Sequence, residues 1–228
     1  MCCAVLYAVR NPFKLEQLPD NGIYFFYEKS EIWGHGGDNS RIVRIGTHKE
    51  GNFRSRIKEH FLLDESRMGF DKDKPKPSDR SIFRKNIGRA LLNRDGDNYL
   101  QIWEIDFTTR GNRESLGHKR DVDKEKGMES TITRILRERF SFRFIVIESQ
   151  TERMGSKGLE SSLIGTVASC KLCSPSGNWL GNDSPKQQIK KSGLWLVQHL
   201  KANGINESDK ETIFNTIRRT KEWITNGI

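Results

Sequence analysis

The chain has 228 residues, with 39 Lys or Arg against 30 Asp or Glu, a formal charge of +9 at neutral pH. That length holds one elaborated domain or two small ones around a real core, and a 34% hydrophobic share with 20 Gly describes a folded chain with a large polar or ligand-facing surface. No apolar run approaches the roughly 20 residues of a bilayer span, which argues against a membrane role; the opening MCCAVLYAVR has neither a basic n-region nor a cleavage site, so a cytoplasmic protein is expected.

Residues 22–28 (GIYFFYE) are rich in aromatic and β-branched side chains and follow the turn-like PDN, which predicts a strand. A glycine-rich loop over 34–40 leads to a second strand at 41–47 (RIVRIGT), paired with the first as a hairpin. Asn52 is placed to cap a helix to about residue 63, with Phe53, Ile57 and Phe61 on its core stripe. After a basic linker at 72–76, Ser78 or Asp79 caps a second helix to about residue 92. The pattern then predicts a strand at 99–107, a charged loop at 108–127, a helix from about 129 to 139, a strand at 142–148 and a helix at 157–169. The last third opens with a Ser, Pro, Gly and Asn loop and continues with helices near 194–201 and 209–225, the latter with Ser208 and Glu211 in capping-box spacing.

The positive charge is uneven. Residues 41–92 carry fourteen Lys and Arg against seven acids, while the rest of the chain is nearly balanced. A confined positive field is what a polyanion-binding face needs, because neutralising phosphates releases counterions. Arg84, Lys85 and Arg89 stand out, recurring at helical spacing behind the apolar stripe Ile82, Phe83, Ile87 and Leu91. Of the four cysteines, Cys2 and Cys3 are adjacent, and Cys170-Lys-Leu-Cys173 is one CxxC without a second CxxC or CxxH. Core or surface thiols are the expected reading, with half a metal site as the alternative.

Three positions suggest chemistry. Arg56 and His60, four apart, share one helix face at the edge of its buried stripe, where a guanidinium can grip phosphate oxygens and an imidazole can bond the same group. Glu160 falls on the apolar stripe of its own helix beside Leu163, Ile164 and Val167, and a half-buried acid calls for an Arg or a metal ion. Tyr24 and Phe26 point to one face of the first strand, and Tyr27 to the other.

Together, Gly22-Ile23-Tyr24, Val43-Arg44-Ile45-Gly46, Arg56-Ile57-Lys58-Glu59-His60-Phe61 and a Glu on a late helix followed by an Asn resemble the GIY-YIG nuclease domain, over residues 22–92 and 141–180. The resemblance implies an α/β (α+β) fold, a small antiparallel three-stranded sheet flanked by helices. It implies a nuclease-like domain over 1–180 with an insertion at about 93–140, and a C-terminal helical extension over 181–228. It also implies roles: Tyr24 as candidate general base, Arg56 on the phosphate with His60 one turn on, Glu160 as the single ligand to Mg2+ (or Mn2+), and Asn178, with Asn182 as alternative, as the trailing asparagine. Arg54, Lys58, Arg84, Lys85 and Arg89 become candidate DNA contacts. Arg44 stands where the family's second motif carries tyrosine; an arginine cannot act as base but can add a positive contact to phosphate. The expected function is a metal-dependent endonuclease on double-stranded DNA, of restriction or defence type, possible as a homodimer. The alternatives are a repair or structure-specific nuclease and a non-catalytic basic DNA-binding protein with a degenerate site.

Overall fold

The computed structural model describes residues 8–227, so Cys2 and Cys3 lie outside the described residues. Its centre is an antiparallel sheet of β1 (Val9–Arg10), β2 (Ile23–Ile32), β3 (Ser40–Gly46) and β4 (Phe140–Ile145), in spatial order β1-β4-β2-β3. The resemblance implied three strands. The fourth, β1, sets Val9 opposite Phe142 on the outer edge of β4, and two residues are too few to show alternation in a sequence. In β2, Tyr24 lies between Gly46 and Phe144, and Phe26 between Arg44 and Phe142. The two-residue period therefore turns Tyr24, Phe26, Arg44, Phe142 and Phe144 to one face.

That face is covered by α1 (Phe53–Phe61), α3 (Ile82–Arg94), which follows the single-turn α2 (Pro77–Arg80), and α6 (Val122–Arg139). Phe53, Ile57 and Phe61 of α1, Phe83 and Ile87 of α3, and Ile132 and Leu136 of α6 are buried there with Trp103, Trp179 and Trp195. The opposite face carries Ile23, Ile45 and Ile145 against Leu159 and Ile164 of α8 (Leu159–Ala168), with Leu194 and Leu196 alongside. Burying such a side chain contributes roughly 1.5–3 kcal/mol, so the two clusters hold the sheet from both sides.

Between the helices the fold buries ions as well as hydrocarbon. Arg84 is fully buried and bonds Glu129 (2.6 Å), the His60 carbonyl (3.1 Å) and Thr133 Oγ1 (2.8 Å), while Glu129 also accepts the Ser78 N–H at 2.7 Å. Arg120 with Glu125, Lys76 with Asp79, and Arg41 with Glu31 repeat the pattern. Each charge is matched; Arg41, Arg84 and Arg120 also donate to backbone carbonyls, while the Lys76 ammonium lies over the Trp103 and Phe107 rings.

Four readings of the sequence are corrected. Residues 99–107 are not a strand: Asp97 accepts the Tyr99 N–H at 2.9 Å, a helical turn α4 (Leu100–Trp103) follows, and the Trp103 indole donates to the Lys85 carbonyl. The supposed charged loop holds α5 (Arg110–Leu116) and the first turns of α6, capped by Asp121, whose side chain accepts the Lys124 N–H. The residues that made it look solvated include Glu125, which is interior. The cap of the second predicted helix is Ser81 rather than Ser78 or Asp79. Residues 194–201 are not helical, since the helix there, α9 (Gln187–Ser192), ends at Gly193 and the Trp195 N–H instead donates to Val43 O of β3 at 2.8 Å. The chain closes with α7 (Gln150–Arg153) before α8 and the long α10 (Glu207–Gly227) after α9. Thr220 of α10 accepts the Val146 N–H just past β4.

If Arg84 and Glu129 are a matched interior pair, removing one partner strands the other. Glu129→Ala is expected to lower stability by about 3–5 kcal/mol, and the joint replacement Arg84→Met with Glu129→Leu by distinctly less; urea unfolding midpoints of the three proteins check it.

Candidate active site

The first motif strand ends against the second. A Cβ at Gly46 would collide with the Tyr24 hydroxyl, and one at Gly22 with the Ile145 carbonyl, so the motif glycines let Tyr24 lie flat over the end of β3. The Tyr24 ring is buried edge-on between Phe26 and Phe53, and its hydroxyl is 3.2 Å from His60 Nε2. His60 Nδ1 lies 2.8 Å from Ser81 Oγ, the cap of α3. Each imidazole nitrogen thus faces one hydroxyl. Burial drives the His60 pKa well below the ordinary histidine value, and the neighbouring cations Arg56, Arg44 and Arg84 push it the same way, so the ring is neutral.

Beyond Gly46, the backbone of Thr47 and His48 is a junction. Thr47 donates its N–H to Glu160 Oε1 at 3.0 Å and its hydroxyl to Gly22 O at 2.6 Å. Arg153, at the end of α7, donates to Thr47 Oγ1 (3.1 Å) and His48 O (2.6 Å). Glu160 sits in the first turn of α8, half-buried, and no donor reaches its Oε2 among the described residues. Burial raises its pKa, against the opposing pull of the Thr47 N–H, Arg44 and Arg153. Arg44 is buried, with Nη1 on Trp195 O at 2.6 Å, its guanidinium 5.0 Å from the Phe83 ring, and Nε without a hydrogen-bond partner among the described residues. Arg56 borders the same place: it pairs with Glu59, donates to Arg80 O at 2.9 Å, and its charge is felt by both His60 and half-buried His48. Tyr24, His60, Arg44, Arg56 and Glu160 therefore converge around residues 46–48.

A family model for the GIY-YIG domain matches residues 9–222. The chain belongs to the GIY-YIG family. The GIY-YIG domain is a nuclease fold, so the general function is hydrolysis of nucleic acid. Neither a curated protein nor a solved structure gives a significant match.

Not every residue assigned by resemblance joins the GIY-YIG constellation. Asn178 is exposed beside a cavity of about 300 Å³ lined by Leu91, Arg94 and Arg139. Its neighbour Trp179 bonds Glu28, four residues along β2 from Tyr24 and so about 13 Å away. Asn182 spends its amide on the carbonyls of Ser176 and Gly177. The trailing-asparagine role thus finds neither residue at this site. Arg84, Lys85 and Arg89 do not face outward either; they are buried on Glu129, Asp79 and Glu104. Arg54 and Lys58 remain half-exposed on α1, beside Asp20 and Asp64. A cavity of about 1160 Å³ lined by Arg10, Lys29 and Arg137 contains none of the converging side chains. Sequence reading missed Thr47, Ser81 and Arg153. Thr47 directly follows the motif glycine, which is a usable signal, whereas Arg153 looks like any charged residue in a short polar helix.

Two outcomes follow from these titrations. Below about pH 6.5 the unfolded imidazole binds a proton that the folded His60 refuses, so the unfolded state holds more protons and stability falls on acidification. His60→Gln is expected to flatten that slope in thermal midpoints taken across the interval. Glu160 has the opposite sign: its raised pKa makes the ionised form unfavourable as pH rises past the free carboxyl value. Metal-free Glu160→Gln should therefore melt above the parent at pH 7, roughly 2–4 °C for each kcal/mol relieved, as calorimetry would register.

Proposed function

We propose that the protein is an endonuclease that hydrolyses phosphodiester bonds of double-stranded DNA with the help of one Mg2+ (or Mn2+) ion. The observation that carries this reading is the junction at residues 46–48, where the Tyr24–His60 pair and the Glu160 carboxylate approach from opposite faces of the sheet, with Arg56 at the rim. A hard divalent ion fits Glu160: the donor is an oxygen, Oε1 is oriented by the Thr47 N–H, and Oε2 is left without a donor. Mg2+ characteristically takes one or two carboxylates and fills its shell with water and phosphate oxygens. When bound it would supply Lewis-acid stabilisation of charge on the scissile phosphate and leaving 3′ oxygen.

The chain's own groups do the rest. Arg56 has one nitrogen on Glu59 and Arg80 O, which holds the fork at the rim, where its remaining N–H groups can meet phosphate oxygens. Tyr24 donates its hydroxyl proton to neutral His60 Nε2, and Ser81 holds the other nitrogen. As water attacks phosphorus in line with the leaving oxygen, its proton passes to the Tyr24 oxygen while the phenol proton moves to His60. In the free protein the field of Arg44 and Arg56 opposes a charged imidazole; an arriving phosphodiester compensates that field and makes His60 a better acceptor. Arg44, in the motif tyrosine's place, takes no part in proton transfer and instead supplies fixed positive charge. One such site cuts one strand per event, so double-strand scission requires two copies or two successive nicks.

Supercoiled plasmid incubated with protein and Mg2+ or Mn2+ should be nicked, and chelator should stop it. Tyr24→Phe, Arg56→Ala and Glu160→Ala are each expected to reduce the rate about 10²–10³-fold, with Glu160→Ala still binding DNA at low salt. His48→Ala, which removes a half-buried imidazole beside Arg56 that has no part in the proposed proton path, should remain active. Intact plasmid under both metals, or full cleavage by Glu160→Ala, would show the reading to be wrong.

A further inference from the structure

The described residues contain one cluster of three metal-ligating side chains, and it lies away from Glu160: His35, Cys170 and Cys173. His35 belongs to the loop between β2 and β3, and the cysteines to the segment that leaves α8. Their donor atoms all lie within 4.8 Å of one another, His35 Nε2 and Cys170 Sγ being 3.2 Å apart. Tetrahedral zinc, with bonds of about 2.3 Å to sulfur and 2.0–2.1 Å to nitrogen, sets its donors roughly 3.5–3.8 Å apart. The three donor atoms therefore lie close enough for one ion to reach all of them after small side-chain shifts.

The surroundings are built for thiolates. The Gly34 N–H donates to Cys173 Sγ at 3.4 Å, and the backbone N–H groups of Leu172 and Cys173 bond Cys170 Sγ. Hydrogen bonds to ligand sulfurs are the outer layer that orients and stabilises a metal's ligands. Gly34 packs so closely on the Leu172 carbonyl that a Cβ there would overlap it, so the two loops are seated against each other by design of the backbone. The Trp33 ring lies 5.0 Å from His35 at a tilt of 53°, and its indole donates to Gly36 O at 2.6 Å, which fixes the histidine's loop. Both cysteines are free thiols. They follow the C-terminus of α8, whose dipole favours a cation, whereas a thiolate used for redox chemistry gains from a helix N-terminus.

We propose that His35, Cys170 and Cys173 bind a zinc ion, with water in the fourth position, and that this ion clamps the β2–β3 loop to the segment after α8. Soft sulfur and imidazole donors select zinc over the hard ion suited to Glu160, so the two sites are chemically distinct. The clamp adds to a second tie a few residues on, where Ser176 gives its N–H and hydroxyl to Glu31, the partner of buried Arg41.

Cobalt titration of the reduced, metal-free full chain tests the proposal without any activity assay. The expected result is tetrahedral d–d bands with thiolate-to-cobalt charge transfer, displaced by zinc at a single equivalent. His35→Ala, on an exposed loop and leaving far-UV circular dichroism unchanged, should weaken cobalt binding at least about tenfold. Cys170→Ser should abolish the charge-transfer band, and the Cys2→Ser/Cys3→Ser double variant should keep it. An absent band in the parent, unchanged affinity in His35→Ala, a band surviving Cys170→Ser with Cys173→Ser, or its loss in the Cys2/Cys3 variant would each overturn the assignment.

Discussion

The guanidinium of Arg84 holds the helical half of this molecule in place. It is sealed from solvent and reaches three elements besides its own: the His60 carbonyl of α1 and Glu129 and Thr133 of α6 directly, and the Ser78 amide of α2 through Glu129. Charge buried this way is tolerated only in one geometry, because any displacement leaves an ion or a carbonyl unpaired in a low-dielectric interior. That requirement fixes the end of α1 against the start of α3, where Ser81 caps the helix and meets His60. The imidazole is therefore set from both sides, and so is the tyrosine hydroxyl it contacts. The Tyr24–His60 contact thus depends on an ion pair buried behind it.

On the other side of the junction the constraint is electrostatic. Glu160 is drawn into a half-buried position where ionisation is unfavourable, and His60 into one where protonation is unfavourable. Burial disfavours the charged form of both groups. Arg44 breaks that symmetry: its charge favours ionised Glu160 and disfavors cationic His60. A tyrosine at this position could not exert that field. The arginine in the second motif thus favours a carboxylate at Glu160 and a neutral imidazole at His60, the states that the proposed metal ligand and proton acceptor would require.

What could be read from the sequence was whatever backbone geometry dictates. The glycines of both motifs, the Tyr24 facing and the Arg56–His60 pair are set by strand period, helix period and close approach, and the helices at 52–63, 157–169 and 209–225 show through their apolar stripes. Charge was misleading for a physical reason. Lys and Arg look alike whether solvated or paired indoors, and Arg41, Arg44, Lys76, Arg84, Lys85 and Arg89, six of the fourteen cations between 41 and 92, are buried. Arg41, Arg84 and Arg89 pair with Glu31, Glu129 and Glu104, which lie outside that stretch, so part of the local surplus of positive charge is neutralised across the fold. The same blindness turned the start of α6 into a loop, because Glu125 and Glu129 read as surface. Asn178 was assigned by order along the chain, which says nothing about which end of the sheet a loop returns to.

The C-terminal segment is where order along the chain and position in space part most widely. Residues 194–196 come after every motif, yet the Trp195 N–H docks on Val43 O, its carbonyl holds Arg44, and its indole fills the first core beside Phe83 and Trp179. Leu194 and Leu196 turn to the second core. A non-helical strip, bent at Trp195 where the Leu196 N–H donates to the Leu194 carbonyl at 2.7 Å, serves here, since a helix could not touch both cores while presenting its backbone to β3. The strip thus spends the Trp195 carbonyl on holding the Arg44 charge in place. The edge of the sheet beside Arg44 is thus completed from a part of the chain that carries no motif, within the 9–222 stretch that the family model matches.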